Sequence, residues 1–284
     1  MRPANIITSI ADVLAGVAVA GYFTRSLSFN LTPVLLLCFS TACLYAGGIV
    51  FNDVFDVETD RIERPERILP SGQITVAGAA LLGSLLLMAG IVSAAVCSLV
   101  SGAIALAIAL AALLYDKWGK HHPWLGPLNM GVCRGLNLLL GLSIVTSALA
   151  QWGLIAFVPV IYIYSITMIS RGEVSGGERK PLYVAMVLYL IVILSIAVLS
   201  YGKQQFLITI LLLLVFGFMI FRPLIKAIGH PAGINIMRAV KAGVISLIIM
   251  DAAWATAFNA LWAAAIICIL LPLSFWLSRY FAVT

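Results

Sequence analysis

The residues best equipped for chemistry lie together in Asn52-Asp53-Val54-Phe55-Asp56-Val57-Glu58-Thr59-Asp60, and Arg61, Arg64 and Arg67 follow at once. With Glu63 the stretch holds five of the chain's eleven acidic residues. At about 100° per helical residue, Asp53, Asp56 and Asp60 fall within an arc of about 60°, and Glu58 points away. Like charges on one helix face repel, so the pattern asks for a cation. Carboxylate oxygens suit Mg²⁺, which takes few protein ligands and completes its shell with water and phosphate oxygens. Two other readings compete. One is a solvated loop in which Asp and Arg pair; the other is an EF-hand, which lacks its central Gly and its downstream Glu here.

The elements that position this motif are apolar. The chain has 284 residues, 63% hydrophobic and only 10% charged, with a mean hydropathy of +1.11. Soluble domains carry about a quarter charged residues, so this is an integral membrane protein, expected to be all-α and to form one membrane domain over 1–284. About 20 apolar residues span the hydrocarbon. Spans are expected at about 6–23, 31–50, 74–114 (too long for one crossing and split at Ser98 to Gly102), 125–148, 151–170, 182–200, 206–221, a ninth ending near Phe258, and a tenth from Ala260 to Leu277. The first is read as a retained helix, since Asp12 interrupts it and Arg2 alone makes a poor signal-peptide n-region. Polar loops at 52–72, 115–124 and 171–180 join them, with a basic loop carrying Arg222, Lys226, His230, Arg238 and Lys241.

Charge sets the sidedness. With the N-terminus inside, fourteen Lys and Arg fall on the inner side, and Arg25 and Lys203 alone fall outside. That asymmetry obeys the positive-inside rule and gathers every polar loop at one cytoplasmic mouth, in the inner membrane if the cell is bacterial. The net charge of +6 therefore reads as topology plus anion binding, with no nucleic-acid partner. Spans one to three and five to seven repeat one plan: two spans, a polar loop, a third span.

Further candidates lie within the spans. Arg134 and Asn137 share one face; an intramembrane arginine faces a cavity or a partner, here a diphosphate or an acceptor carboxylate, unless it snorkels to the inner surface. Asp12 and Asp251 serve either acceptor chemistry or helix–helix hydrogen bonding. Gly131-x-x-x-Gly135 is a close-packing motif. His121 and His122 lack a third ligand, and the five cysteines sit in apolar stretches as packing residues.

Asn52-Asp53-x-x-Asp56-x-x-x-Asp60, continuing to Arg64-Pro65 and Pro70-Ser71-Gly72, resembles the first aspartate-rich motif of the UbiA superfamily of intramembrane prenyltransferases. Arg2-Pro3-x-Asn5, Tyr115-x-Lys117 and the polar loop between helices six and seven are similar to that family too. More narrowly, Val50-Phe51-Asn52-Asp53, Gly119-Lys120-His121-His122-Pro123, Cys133-Arg134-Gly135-Leu136-Asn137 and Ser170-Arg171-Gly172-Glu173-Val174 resemble the EboC-like branch.

The resemblance implies a helical bundle of nine or ten spans with a central cavity. It also implies Mg²⁺-dependent transfer of an isoprenyl group from an allylic diphosphate to an acceptor, within membrane lipid. Asp53, Asp56 and Asp60 would bind metal; Arg64, Arg67 and Lys117 would clamp the diphosphate; Asn5, Asn52 and Arg171 would contact substrate. The chain departs from the family at the second motif. In place of a second Asp-x-x-x-Asp it has only Glu173 and Glu178, about 140° apart on a helix, able to share a metal only from a bent loop such as Gly172, Gly176 and Gly177 permit. Two other functions fit less closely. A binding or transport protein would keep the fold without the reaction, and a membrane phosphotransferase would attack phosphorus.

Overall fold

The computed structural model describes residues 3–24, 30–173 and 176–280. Arg2, Arg25, Val174, Ser175 and the side chain of Arg279, which enter the motifs or the charge count, lie outside the described residues. Among the described residues the structure is helical, without strands. The α-helices are α1 (Pro3–Val19), α2 (Leu31–Phe55), α3 (Val57–Glu63), α4 (Val76–Cys97), α5 (Leu99–Lys117), α6 (Leu125–Leu142), α7 (Thr146–Trp152), α8 (Phe157–Ser170), α9 (Arg179–Ser200), α10 (Phe206–Gly229), α11 (Gly233–Ala257) and α12 (Leu261–Tyr280).

Among the described residues seven stretches are long and apolar enough to cross a membrane: α2, α4, α5, the run 146–170, α9, α10 and α11. The expected nine or ten adds α1 and α12, whose apolar segments are shorter, and α6, which carries Arg134. All three pack into the same bundle, α1 against α6, α11 and α12.

Local chemistry fixes the ends. Asn30 and Thr75 accept N–H bonds from the first turns of α2 and α4, satisfying donors a helix leaves open. The 74–114 run breaks at Ser98, whose extended backbone ends α4 and whose Oγ accepts the Ser101 N–H at 3.0 Å. The last break comes where expected, with Asn259 in the left-handed region at φ 61°.

Three expectations are corrected. The span 125–148 stops at Leu142, and the sixth is composite: α7, a 3₁₀ turn over Gly153–Ala156, and α8. Gly153 weakens the helix there, and Pro159 is tolerated because it falls in the first turn of α8. The basic loop is helix: α10 runs through Arg222 and Lys226 to Gly229, and α11 begins at Gly233. Leu224 and Ala227 face inward while Arg222 and Lys226 face out, so an amphipathic pattern carries both helices past the apolar zone.

The polar connections meet at one end. Arg171 donates to the His122 carbonyl at 2.7 Å, the Gly177 N–H bonds the Pro231 carbonyl at 3.1 Å, and Lys120 pairs with Asp56. Lys203 lies instead over the Phe258 ring, 3.7 Å from its centroid, in the opposite set of connections. Glycines set the closest crossings. A Cβ at Gly141 would lie 2.1 Å from the Val13 carbonyl oxygen, and one at Gly135 would lie 2.6 Å from a Val160 methyl.

Candidate functional site

A cavity of about 940 Å³ lies where the polar connections gather, and its described lining residues all fall between Ser9 and Asn137. Six carboxylates line it (Asp53, Asp56, Asp60, Glu63, Glu66, Asp116), against Arg64, Arg67 and Lys120 near them and Arg134 further in.

The acidic mouth is built by a kink. The helix expected through 52–60 breaks at Asp56, where φ is −90° and ψ is 0°, and resumes as α3. The three aspartates therefore do not share one unbroken face. Arg67 bonds Asp60 at 2.6 Å and approaches Asp53 at 4.0 Å, and Lys120 pairs with Asp56. Asp60 is buried, at 6% exposure, and Asp116 equally so. Asn52 Nδ2 donates to Asp116 at 2.9 Å, tying α2 to the end of α5. Among the described residues no group of three or more His, Cys, Asp or Glu is already gathered around a metal position. The donor set nevertheless fits a hard dication: carboxylate oxygens in excess over basic groups, with Asp56 and Asp60 each paired to one side-chain cation and Asp53 near Arg67.

Above the mouth the wall divides. On the α4 and α5 side it is apolar, with Ala79, Leu82, Ile108 and Ala112. On the α1 and α6 side it is polar. Arg134 NH1 donates to Asp12 Oδ2 at 2.6 Å and NH2 to Thr8 Oγ1 at 2.6 Å. Asn137 Nδ2 donates to Asp12 Oδ2 at 3.0 Å and to the Ser9 carbonyl at 2.8 Å, while Thr41 Oγ1 donates to Asn137 Oδ1 at 2.6 Å. The Tyr45 ring lies under the guanidinium, 5.8 Å from centroid to Cζ. Arg134 thus does not snorkel; it is buried and paired.

Of the residues singled out from sequence, Asn52, Asp53, Asp56, Asp60, Arg64, Arg67, Arg134 and Asn137 line this cavity. Lys117 does not: it is exposed and stacks on Trp118 at 4.5 Å. α5 ends there and a 3₁₀ turn over Gly119–His121 brings Lys120 back instead. Arg171 is turned to the His122 carbonyl. Asn5 is buried without reaching the cavity. Neither Glu173 nor Glu178 lines it; Glu178 is the exposed residue before α9, and Gly172 and Gly177 seat their loop on Ile236 of α11. Sequence reasoning missed Lys120, Asp116 and Tyr45. The signal was present for two of them, since Asp116 and Lys120 sit four apart in a polar loop beside the acidic motif.

The model of the UbiA prenyltransferase family matches residues 13–229. The chain belongs to this family. Digeranylgeranylglyceryl phosphate synthase of Sulfurisphaera tokodaii is 31% identical over 181 residues, 63% of this chain and 62% of the relative. That of Methanoculleus marisnigri is 36% identical over 140 residues, 49% of this chain and 48% of the relative. The matches thus span about half to just under two thirds of these curated relatives. Solved structures share the fold. A digeranylgeranylglyceryl phosphate synthase aligns with TM-score 0.66 at 23% identity, covering 90% of this chain and 95% of that one. A UbiA homolog from Archaeoglobus fulgidus bound to GPP and Mg²⁺ aligns with TM-score 0.58 at 17% identity, covering 85% and 99%. UbiA-family members are integral membrane proteins, in keeping with the seven apolar stretches of this chain.

Proposed function

We propose that this chain transfers an isoprenyl group from an allylic diphosphate to an acceptor, depends on Mg²⁺ and releases diphosphate at the cytoplasmic side. The observation that carries the reading is the acidic mouth, opening onto an apolar wall in a UbiA-family chain. Six carboxylates against three basic groups leave an excess of three negative charges, which repels a diphosphate until a dication is bound. The relative from Archaeoglobus fulgidus, bound to GPP and Mg²⁺, supports the same pairing here.

In this reading Asp53, Asp56 and Asp60 would hold the metal, and a dication bound there would supply charge neutralisation for the leaving diphosphate. Arg67 and Lys120, paired with the aspartates here, would turn to the diphosphate oxygens and, with Arg64 beside them, stabilise the developing charge as donors. Asn52 keeps Asp116 oriented beside them. The apolar wall of Leu82, Ile108 and Ala112 takes the isoprenyl tail and keeps water from the allylic carbon. The EboC-like likeness belongs to this proposal as its narrower form, since Gly119 to Pro123 and Cys133 to Asn137 include the cavity residues Lys120, Cys133, Arg134 and Asn137.

The distance of Glu173 and Glu178 from the cavity lining favours one second reading, a family member that binds its ligand without turning it over. Diphosphate release by purified protein with Mg²⁺ and a panel of allylic diphosphates separates the two. Release that Asp56→Ala abolishes supports catalysis; binding without release, whatever acceptor is added, sinks it.

A further inference from the structure

Arg134 invites an anion, yet its charge is already spent. One N–H of its guanidinium bonds Asp12 and another bonds Thr8. Asp251 of α11 stands within hydrogen-bonding reach of Asp12 on the far side, and both acids are only 1% exposed. Asp12 Oδ1 and Asp251 Oδ2 find no donor among the described residues. Two acids this close share a proton, so Asp12 is the carboxylate that neutralises the guanidinium; the pair projects no net positive field into the cavity, and a further buried charge without a free counterpart is costly.

What this wall still offers is neutral. A guanidinium has five N–H donors, more than Asp12 and Thr8 engage. Tyr45 lines the cavity and its hydroxyl makes no hydrogen bond among the described residues; Thr41 and Ser9, on the same lining, carry hydroxyl oxygens with lone pairs. Tyr45 precedes Asn52 by seven residues on α2, about 10 Å along the axis. It therefore stands well apart from the acidic mouth and opposite the apolar wall suited to the tail.

Building on the prenyltransferase reading, we infer that the wall formed by Tyr45, Thr41, Arg134 and Asn137 holds the far end of the acceptor and takes an uncharged oxygen function. A hydroxyl, phenol or carbonyl fits; a carboxylate or phosphate does not. Donors from Tyr45 and Arg134 meet its lone pairs, while Thr41 accepts its proton where there is one.

The test is titration calorimetry of the full chain in lipid nanodiscs with a matched pair of probes, 4-hydroxybenzyl alcohol and 4-hydroxybenzoate. The alcohol is expected to bind about tenfold more tightly, because only the acid brings an uncompensated charge. Asp12→Asn combined with Asp251→Asn frees the guanidinium and should reverse the preference. Should that variant not fold, Tyr45→Phe decides: it should weaken the alcohol about fivefold and leave the acid unchanged. Tighter binding of the acid by the native protein, no binding of either probe, or indifference to Tyr45→Phe would overturn the inference. Mg²⁺-dependent binding of geranyl diphosphate, measured on the same sample, reports separately on the prenyltransferase reading. Its absence sinks that reading whatever the probe ratio, whereas its presence with a ratio at or below one sinks the inference alone.

Discussion

Helices α1 to α6 enclose a cavity lined by six carboxylates and four basic side chains, while α8 to α11 close on Tyr162, Tyr189, Phe216 and Trp254, each at 2% exposure or less. The difference lies in what fills the space between the spans. In the second half Tyr162 stacks near Tyr189 and Phe216, at 5.1 and 5.3 Å between centroids. Its hydroxyl donates to the Gly243 carbonyl at 2.8 Å and pairs with Ser246 at 2.9 Å. The first half lines its space in part with small residues, Gly48, Gly78 and Ala112, and so leaves room for a ligand. One bundle thus holds a lined space on one side and a closed core on the other.

The contrast is tested most sharply by the two acidic loops. Asp56→Ala should lower Mg²⁺-dependent diphosphate release by at least about 100-fold. Lys120→Ala should cost about 10- to 100-fold, whereas Lys117→Ala should stay within about threefold; equal losses would place the clamp where the sequence first suggested it. Phe216→Ala should remove about 3–5 kcal/mol of stability, read as a lower melting temperature in detergent, with the KM for the donor unchanged. A shifted KM would mean that the filled half reaches the site. Tyr162→Phe should cost about 1 kcal/mol through its lost hydrogen bonds, again with no kinetic effect. The smallest change is expected from Glu173→Ala and Glu178→Ala together, within about threefold in release. A loss matching that of Asp56→Ala would restore the second loop as a metal site and end the asymmetry.

Much of this was legible beforehand. The breaks at Ser98 and Asn259 follow from polar residues interrupting apolar runs. Gly131 and Gly135 meet α8 as their four-residue spacing implies, since that spacing puts two missing side chains on one face. Asp53, Asp56 and Asp60 could be found because acids are rare in an apolar chain and cluster only for a reason. Lys120 was harder, because a 3₁₀ turn after Lys117 decides which of two nearby lysines faces the cavity. The pairing of Arg134 with Asp12 joins residues 122 apart, which no local spacing announces.

The sequence by itself therefore determined the solvent of this protein, the run of its helices and the place of its acidic motif, all of which depend on composition and on neighbours within a few turns. Only the tertiary structure decided which charges meet. It turned Arg67 and Lys120 onto the aspartates, spent Arg134 on Asp12, and seated the glutamate loop against α11. Those outcomes rest on how helices far apart in sequence rotate and cross, and the crossings are set by a few glycines and buried rings acting together.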